Sequence, residues 1–125
     1  ALETAGVRVI KSLFLKKEPG VSEGSRYRAS AFLVESGEGR LPGGNAMSWD
    51  WGAVRGSLGS APCLLAGGLS PENVAEAIRA FGPDAVDVSS GVESEPGRKE
   101  IGKVRAFLRQ LNNTKLNREP SIVFC

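Results

Sequence analysis

The sequence APCLLAGGLSPENVAEAIRAFGPDAVDVSSG, residues 61–91, carries the strongest structural signal in the chain. It begins with a short apolar run at 61–66, which predicts a strand that ends at two glycines. Ser-Pro-Glu-Asn then predicts the start of a helix, because Ser caps free N–H groups and Pro suits the first helical position. The helix is predicted to end at Phe81, before Gly-Pro, and a second strand follows at 85–89. This order predicts a βαβ unit with parallel strands.

The predicted helix has one apolar face. With Ser70 at its N-cap, apolar side chains recur at the spacing i, i+3, i+4, i+7, which places them on one side of an α-helix. These residues are Val74, Ala77, Ile78 and Phe81. We expect this face to pack against the sheet.

The same alternation extends to both sides of this unit. Apolar runs rich in large and β-branched residues at 7–15 and 31–35 predict two further strands. The segment 16–30 has no apolar stripe at helical spacing and contains Pro and Gly, so it predicts a loop or at best a frayed helix. A short helix is predicted at 48–54 and a longer one at 99–111. The chain therefore predicts an α/β fold with a four-stranded parallel sheet and flanking helices.

The last predicted helix separates apolar from basic residues. Its apolar face is predicted to be buried and consists of Ile101, Val104, Phe107, Leu108 and Leu111. The basic cluster opposite that face is predicted to be solvated and consists of Arg98, Lys99, Lys103 and Arg105.

Length and composition exclude several classes of protein. The chain has 125 residues and 13.2 kDa, 41% hydrophobic and 24% charged residues, and no apolar run of the roughly 20 residues that a membrane span needs. A formal charge of +2 is too balanced for a dedicated nucleic-acid binder. We therefore predict no membrane and no nucleic-acid partner. Because histidine is absent, chemistry must use carboxylates, amines, thiols or backbone groups.

The two cysteines predict neither a metal site nor a disulfide framework. Cys63 and Cys125 are far apart and have no second ligand at metal-binding spacing. We predict a reducing cytoplasmic location and interpret Cys63 as a small buried hydrophobe. The first residues lack an initiating Met and a secretory signal, so the chain is predicted to begin within a fold.

Candidate ligand-binding residues follow the predicted strands. In parallel α/β sheets, ligands gather at the carboxyl ends of the strands. Glycine-rich turns before helices let backbone N–H groups approach an anion, which favours a phosphate site. The alternative is that these glycines only permit tight turns. The residues at the four strand ends are Lys16, Glu35, Gly67, Gly68, Ser89, Ser90 and Gly91.

Three motifs together resemble the last part of the phosphoribosylanthranilate isomerase family. They are PGGNAMSWDW at 42–51, LLAGGLSPENV at 64–74 and VDVSSGVESEPGRKE at 86–100. The family consists of (β/α)8-barrel enzymes that catalyse an Amadori rearrangement in tryptophan biosynthesis. The resemblance covers about 7–111 and implies that the four strands are the fifth to eighth of a TIM barrel.

The resemblance also implies a domain division and a set of site residues. Residues 1–111 would be the C-terminal half of the barrel, and 112–125 a tail of unassigned structure. Glu35 stands where the family usually has its general acid, an aspartate, and is longer by one methylene. Asp87 would position the substrate, although it could instead be a structural carboxylate bonded to nearby backbone. The implied substrate-binding residues are Gly67, Gly68, Asp87, Ser89, Ser90 and Gly91.

Two functional groups of the family have no counterpart in this chain. The general base is a cysteine on the first strand, and the arginine that binds the anthranilate carboxylate also comes from the N-terminal half. Cys63 does not replace the base, because it lies four residues before Gly67, far down its strand. The implied partners are the phosphorylated sugar substrate, phosphoribosylanthranilate, and an N-terminal half-barrel or a second copy. No cofactor or metal is implied. The alternative function is an inactive phosphosugar-binding or self-associating half-barrel.

Overall fold

A computed structural model describes residues 5–35 and 51–114 of the chain. Four parallel strands form one sheet in the order β1-β2-β3-β4. The strands are β1 (Ile10–Phe14), β2 (Ala31–Glu35), β3 (Cys63–Ala66) and β4 (Ala85–Val86). The predicted strands and their parallel arrangement are confirmed, and β1 and β4 are shorter than the apolar runs that predict them.

The helices and a small hairpin follow the strands. A 3-10 helix, Val21–Arg26, separates β1 from β2, where a loop or a frayed helix was expected. Three α-helices follow: α1 (Trp51–Ser57), α2 (Val74–Phe81) and α3 (Ile101–Asn113). Between β4 and α3 lie a 3-10 turn, Ser90–Val92, and an antiparallel hairpin of β5 (Glu93–Glu95) and β6 (Arg98–Lys99). The sequence analysis did not predict this hairpin.

Helix α2 buries the predicted face but begins later than predicted. Its four apolar residues, Val74, Ala77, Ile78 and Phe81, are all buried. The prediction of Ser70 as its N-cap is wrong, because Asn73 holds that position, although the Ser70 hydroxyl does accept from the free N–H of Glu72 at 3.3 Å. Ser70 instead closes a turn before the helix, with its carbonyl oxygen accepting from the N–H groups of Asn73 and Val74. Gly82 ends the helix in the left-handed conformation, with φ 61°.

Helix α3 is less buried than its sequence pattern predicts. Only Phe107 is buried, whereas Ile101 and Leu108 are 62% and 52% exposed, so the prediction is wrong for these two residues. The helix contacts α2 and the Ser90–Val92 turn. Its side chains that face away from these contacts are exposed to solvent. It continues to Asn113, past the predicted boundary at residue 111. Of the basic cluster, Arg98 and Lys99 lie in β6 instead of the helix.

The two faces of the sheet differ in how they are covered. Leu13, Val34 and Leu65 lie in register on one face, are fully buried, and belong to the hydrophobic core that α1 and α2 complete. On the other face, Leu33 and Leu64 lie in register and are only half-buried. Within residues 5–35 and 51–114, this second face is covered less completely than the first.

The described helices do not reach membrane-spanning length. None of those in residues 5–35 and 51–114 combines the length and apolarity needed to cross a bilayer.

Candidate functional site

A cavity of about 220 Å³ lies at the carboxyl ends of β2, β3 and β4. It is lined by Glu35, Ala66, Gly67, Gly68, Leu69, Asp87, Val88, Ser89, Ser90 and Gly91. All seven residues that the sequence analysis assigned to catalysis and substrate binding are in this set. The structure therefore brings the predicted residues together around one space, and their roles stay predictions. Lys16, at the end of β1, does not line the cavity.

The first glycine turn follows β3. Gly67 and Gly68 adopt φ values of 85° and 74°, in the left-handed region that favours glycine. The side chain of Asn73 holds the turn with two hydrogen bonds. Its Nδ2 donates to the carbonyl oxygen of Gly68 at 2.9 Å, and its Oδ1 accepts from the N–H of Ser70 at 2.8 Å. Asn73 thus connects the turn to the start of α2.

The second turn packs directly on the first. A Cβ added at Gly91 would lie 1.8 Å from the carbonyl oxygen of Leu69, a backbone atom. Glycine is therefore required at this position for the two turns to come into contact. The contact explains how residues 22 positions apart in sequence form one cavity wall.

The cavity wall carries backbone donors for which the described part of the chain supplies no acceptor. Within the described ranges 5–35 and 51–114, the N–H groups of Gly67, Gly68, Ser90 and Gly91 donate no hydrogen bond to the chain. Backbone N–H groups are strong donors that need an acceptor, which water or an anion supplies at an open site. Four such groups around one small cavity are suited to hold a phosphate.

Two carboxylates lie on the same face of the sheet beside these turns. Glu35 is in register with Ala66, and the N–H of Asp87 donates to Leu65, which places Asp87 next to Ala66 on the other side. The spacing of adjacent strands puts the Cα atoms of Glu35 and Asp87 about 10 Å apart. Because Ala66 between them is small, the space between the carboxylates stays open.

The alternative structural role of Asp87 has no support in the described contacts. The residue is exposed, and within residues 5–35 and 51–114 its carboxylate accepts no hydrogen bond. Glu35 is half-buried, and its carbonyl oxygen accepts from the N–H of Leu15 at 2.9 Å, which fixes the backbone at the end of β2. Both side chains are therefore available to a ligand in the cavity.

Cys63 lies at the opposite end of β3. Its side chain is fully buried, in register with Phe32 on the helix-covered face. Burial raises the pKa of the Cys63 thiol to about 11, with Asp84 adding in the same direction and Arg55 opposing. The thiol is neutral near pH 7 and far from the cavity, which confirms its interpretation as a buried hydrophobe.

A larger cavity, of about 460 Å³, lies at the amino ends of the strands. Tyr27, Arg28, Phe32 and Leu58 are among the residues that line it, and none of the predicted site residues does. Within residues 5–35 and 51–114, no group of three or more Cys, Asp or Glu side chains could hold a metal ion. The smaller cavity is therefore the site with suitable chemistry.

Two residues at the site were missed by the sequence analysis. Asn73 was interpreted only as part of the motif that begins α2. Asn side chains often hydrogen-bond backbone groups of a neighbouring turn, and this tendency is the signal that could have identified it. Lys99, interpreted as solvated, hydrogen-bonds Ser89 across 10 positions, a contact that no local pattern signals. The loop of the motif at 42–51 lies almost entirely outside the described residues.

Comparisons with known proteins agree with this geometry. A family model described as N-(5'-phosphoribosyl)anthranilate (PRA) isomerase matches residues 1–110. The N-(5'-phosphoribosyl)anthranilate isomerase of Desulfatibacillum aliphaticivorans is 46% identical over 98% of this chain and 56% of its own length. The chain thus spans about half the length of the curated relatives it matches.

Solved structures show the same likeness. Monomers generated from the dimeric phosphoribosylanthranilate isomerase of Thermotoga maritima match with a TM-score of 0.67 at 29% identity, over 88% of this chain and 52% of theirs. A phosphoribosylanthranilate isomerase in complex with reduced 1-(o-carboxyphenylamino)-1-deoxyribulose 5-phosphate matches with a TM-score of 0.66 at 30% identity, over 88% and 51%. The parallel sheet is therefore similar to that of known TIM-barrel isomerases.

Proposed function

The chain belongs to the N-(5'-phosphoribosyl)anthranilate isomerase family, and we propose that it forms the phosphate-binding and general-acid part of that enzyme's active site. The reaction would be the aldose-to-ketose rearrangement of phosphoribosylanthranilate in tryptophan biosynthesis. The observation that carries the proposal is the 220 Å³ cavity, which both carboxylates and both glycine turns line together.

We propose that residues 1–111 are the C-terminal half of a (β/α)8 barrel, with β1 to β4 as its fifth to eighth strands. Three observations support this: the described sheet is parallel, the leucines of its second face are only half-buried, and the relatives are about twice as long. In a closed barrel, that face would point to the interior. A complementary half, from the same longer polypeptide or from a partner, would cover it.

The phosphate group of the substrate would bind between the two glycine turns. The unused N–H groups of Gly67, Gly68, Ser90 and Gly91 would donate to its oxygens, and Ser89 would add a hydroxyl. Asp87, exposed and unbonded within the described residues, would position the sugar. Since the amides are rigidly held by Asn73 and by the contact at Gly91, the site needs little reorganisation to bind an anion.

Glu35 would act as the general acid. Its carboxyl group would give a proton to the ring oxygen of the ribose as the C1–O bond breaks and the amine nitrogen forms a C=N bond. A base from the complementary half would take the proton from C2, which yields an enol and restores the amine lone pair. A proton is then added at C1 while the enol hydroxyl on C2 loses its proton, which gives the ketose. Proton exchange between the base, Glu35 and solvent restores both catalytic groups, so that no atom is gained or lost.

A mixing assay tests the proposal. The full chain is combined with the N-terminal half-barrel of a relative, and isomerisation of phosphoribosylanthranilate is followed. Glu35→Gln should lower the rate at least ~100-fold, because the proton donor is lost. Glu35→Asp should retain activity, and Glu76→Gln, on the exposed side of α2, serves as the matched control. If every pairing binds phosphate without turnover, the proposal is wrong and the inactive phosphosugar-binding alternative is favoured.

A further inference from the structure

A lysine outside the predicted site reaches one of its turns. Lys99 lies in β6, and its Nζ donates to the carbonyl oxygen of Ser89 at 3.0 Å and to the Ser89 hydroxyl at 3.3 Å. The third hydrogen bond of the ammonium goes to Glu93 Oε1 at 2.6 Å. Ser89 lines the 220 Å³ cavity, so the ammonium group of Lys99 contacts a residue of the proposed phosphate site.

The hydrogen bonds of Lys99 restrict what the Ser89 hydroxyl can do. An ammonium group donates only, so the hydroxyl must accept from Lys99 with a lone pair. Its own proton then points elsewhere and is free to donate. A hydroxyl that accepts from a cation is also polarised and becomes a stronger donor.

Glu93 keeps the cation in this place. Its carboxylate is only 12% exposed, whereas the Lys99 side chain is 47% exposed. The second carboxylate oxygen, Oε2, accepts from the N–H of Gly97 at 3.1 Å, in the tight turn of the hairpin. The hydrogen bonds of Glu93 within the hairpin therefore hold the Lys99 ammonium group against the Ser89 turn.

We propose that Lys99 is a positioning residue of the phosphate site, which holds the turn at Ser89 and orients the Ser89 hydroxyl as a donor to the bound phosphate. This rests on the proposed function of the cavity. It assigns a specific task to the β5–β6 hairpin, a hairpin whose Arg98–Glu95 ion pair is fully on the surface. Arg98, the neighbour of Lys99 with the same charge, does not contact the turn within the described residues.

The test uses the full chain and inorganic phosphate as the probe. Affinity is measured by titration for the natural sequence and for Lys99→Met, Ser89→Ala and the double variant. We expect Lys99→Met and Ser89→Ala each to weaken binding about 10-fold, and the double variant to lose less than the two losses multiplied, because the lysine acts in part through the hydroxyl. Lys99→Arg should recover most of the affinity.

Arg98→Met is the matched control, since it removes the same charge from the next position and should change affinity less than twofold. Urea unfolding of each variant separates loss of fold from loss of binding, and Lys99→Arg keeps the test valid if Lys99→Met is unstable. Unchanged affinity in Lys99→Met, or multiplied losses in the double variant, overturns the positioning role. If the natural sequence itself does not bind phosphate, the proposed function fails, and this inference fails with it.

Discussion

The two ends of the same sheet use polar groups in opposite ways. At the amino end, the Asp84 carboxylate is 5% exposed, and its Oδ2 accepts from Arg55 at 2.8 Å and from the N–H of Cys63 at 2.7 Å. At the carboxyl end, the described contacts leave the Asp87 carboxylate and the amides of both glycine turns unused. The amino end is a buried ion-pair cluster in which, among the described residues, only Arg55 Nη1 is buried without a hydrogen-bond partner. The carboxyl end keeps donors and acceptors available for a ligand.

Cavity size does not identify the site in this molecule. The larger cavity, at the amino end, contains none of the predicted site residues, whereas the smaller one contains all seven. Unused hydrogen-bonding groups cost free energy in a folded chain unless water or a ligand satisfies them. Their concentration at one end of the sheet therefore indicates where a ligand is expected.

The largest difference should come from the same substitution made at each end. Gly91→Ala would push a methyl group into the Leu69 carbonyl oxygen, so we expect a loss of about 3 kcal/mol in the free energy of unfolding. Gly56→Ala, in α1, meets no atom within 4 Å and should stabilise the chain by about 0.5 kcal/mol. Urea unfolding measures both. Equal effects of the two substitutions would show that the turns are not in contact.

Two aspartates three residues apart should separate stability from function. Asp84→Asn places an amide donor against Arg55 or Cys63 and should lower the free energy of unfolding by about 2 kcal/mol. Asp87→Asn should change it by less than about 0.5 kcal/mol, because the exposed carboxylate has no bonded partner within the described residues. In the mixing assay, only Asp87→Asn should reduce the activity of folded protein. The reverse pattern would contradict the assignment of the two ends.

The clamp at the first glycine turn should matter for binding more than for folding. Asn73→Ala removes the hydrogen bonds to Gly68 and Ser70 and should weaken phosphate affinity about 10-fold, because the amides are no longer held in place. The accompanying loss of stability should stay near 1 kcal/mol. Glu76→Ala, exposed on the same helix, is the control for both titration and unfolding. A variant that binds phosphate normally would show that the turn is rigid without Asn73.

The smallest effect on reconstituted activity is expected from substitution of Cys63. Burial raises its pKa from 9.0 to about 11, so the fold favours the neutral thiol. This contribution to stability is present below pH 9 and is lost as the pH rises from 9 towards 11. At pH 8 in a Cys125→Ser background, a thiol reagent should react with Cys63 at least ~100-fold more slowly than with the unfolded chain. Cys63→Ala should change reconstituted activity less than twofold. Rapid labelling of the folded chain would contradict both the burial and the assignment.

The sequence predicts the strands, and it identifies residues that the fold brings together around one cavity. Fully buried parallel strands are continuous apolar runs, and the turns that follow them need glycine, so both are visible locally. Glu35 and the glycine turns could be placed at one edge because parallel strands share a carboxyl end, whereas Asp87 was identified by the family resemblance alone. The family resemblance then separated these positions from ordinary strand ends.

Other features depend on contacts that sequence spacing does not carry. The β5–β6 hairpin needs the Lys99–Glu93 pair and the positive φ of Gly97, and neither stands out in a polar segment. Helical periodicity marks Ile101 and Leu108 as apolar but does not show that α3 lies at a border with few neighbours. Helix α2 begins later than predicted because the Asn73 side chain and the Ser70 carbonyl group form hydrogen bonds of a turn before the helix.

The most direct measurement is the amide spectrum of the full chain, labelled with nitrogen-15, during titration with inorganic phosphate. The account predicts saturable shifts at Gly67, Gly68, Ser90 and Gly91, with no comparable change around Cys63 and Asp84 at the other end of the sheet. If those four amides stay in place while phosphate is added to excess, the carboxyl-end cavity is not an anion site and the central claim is wrong.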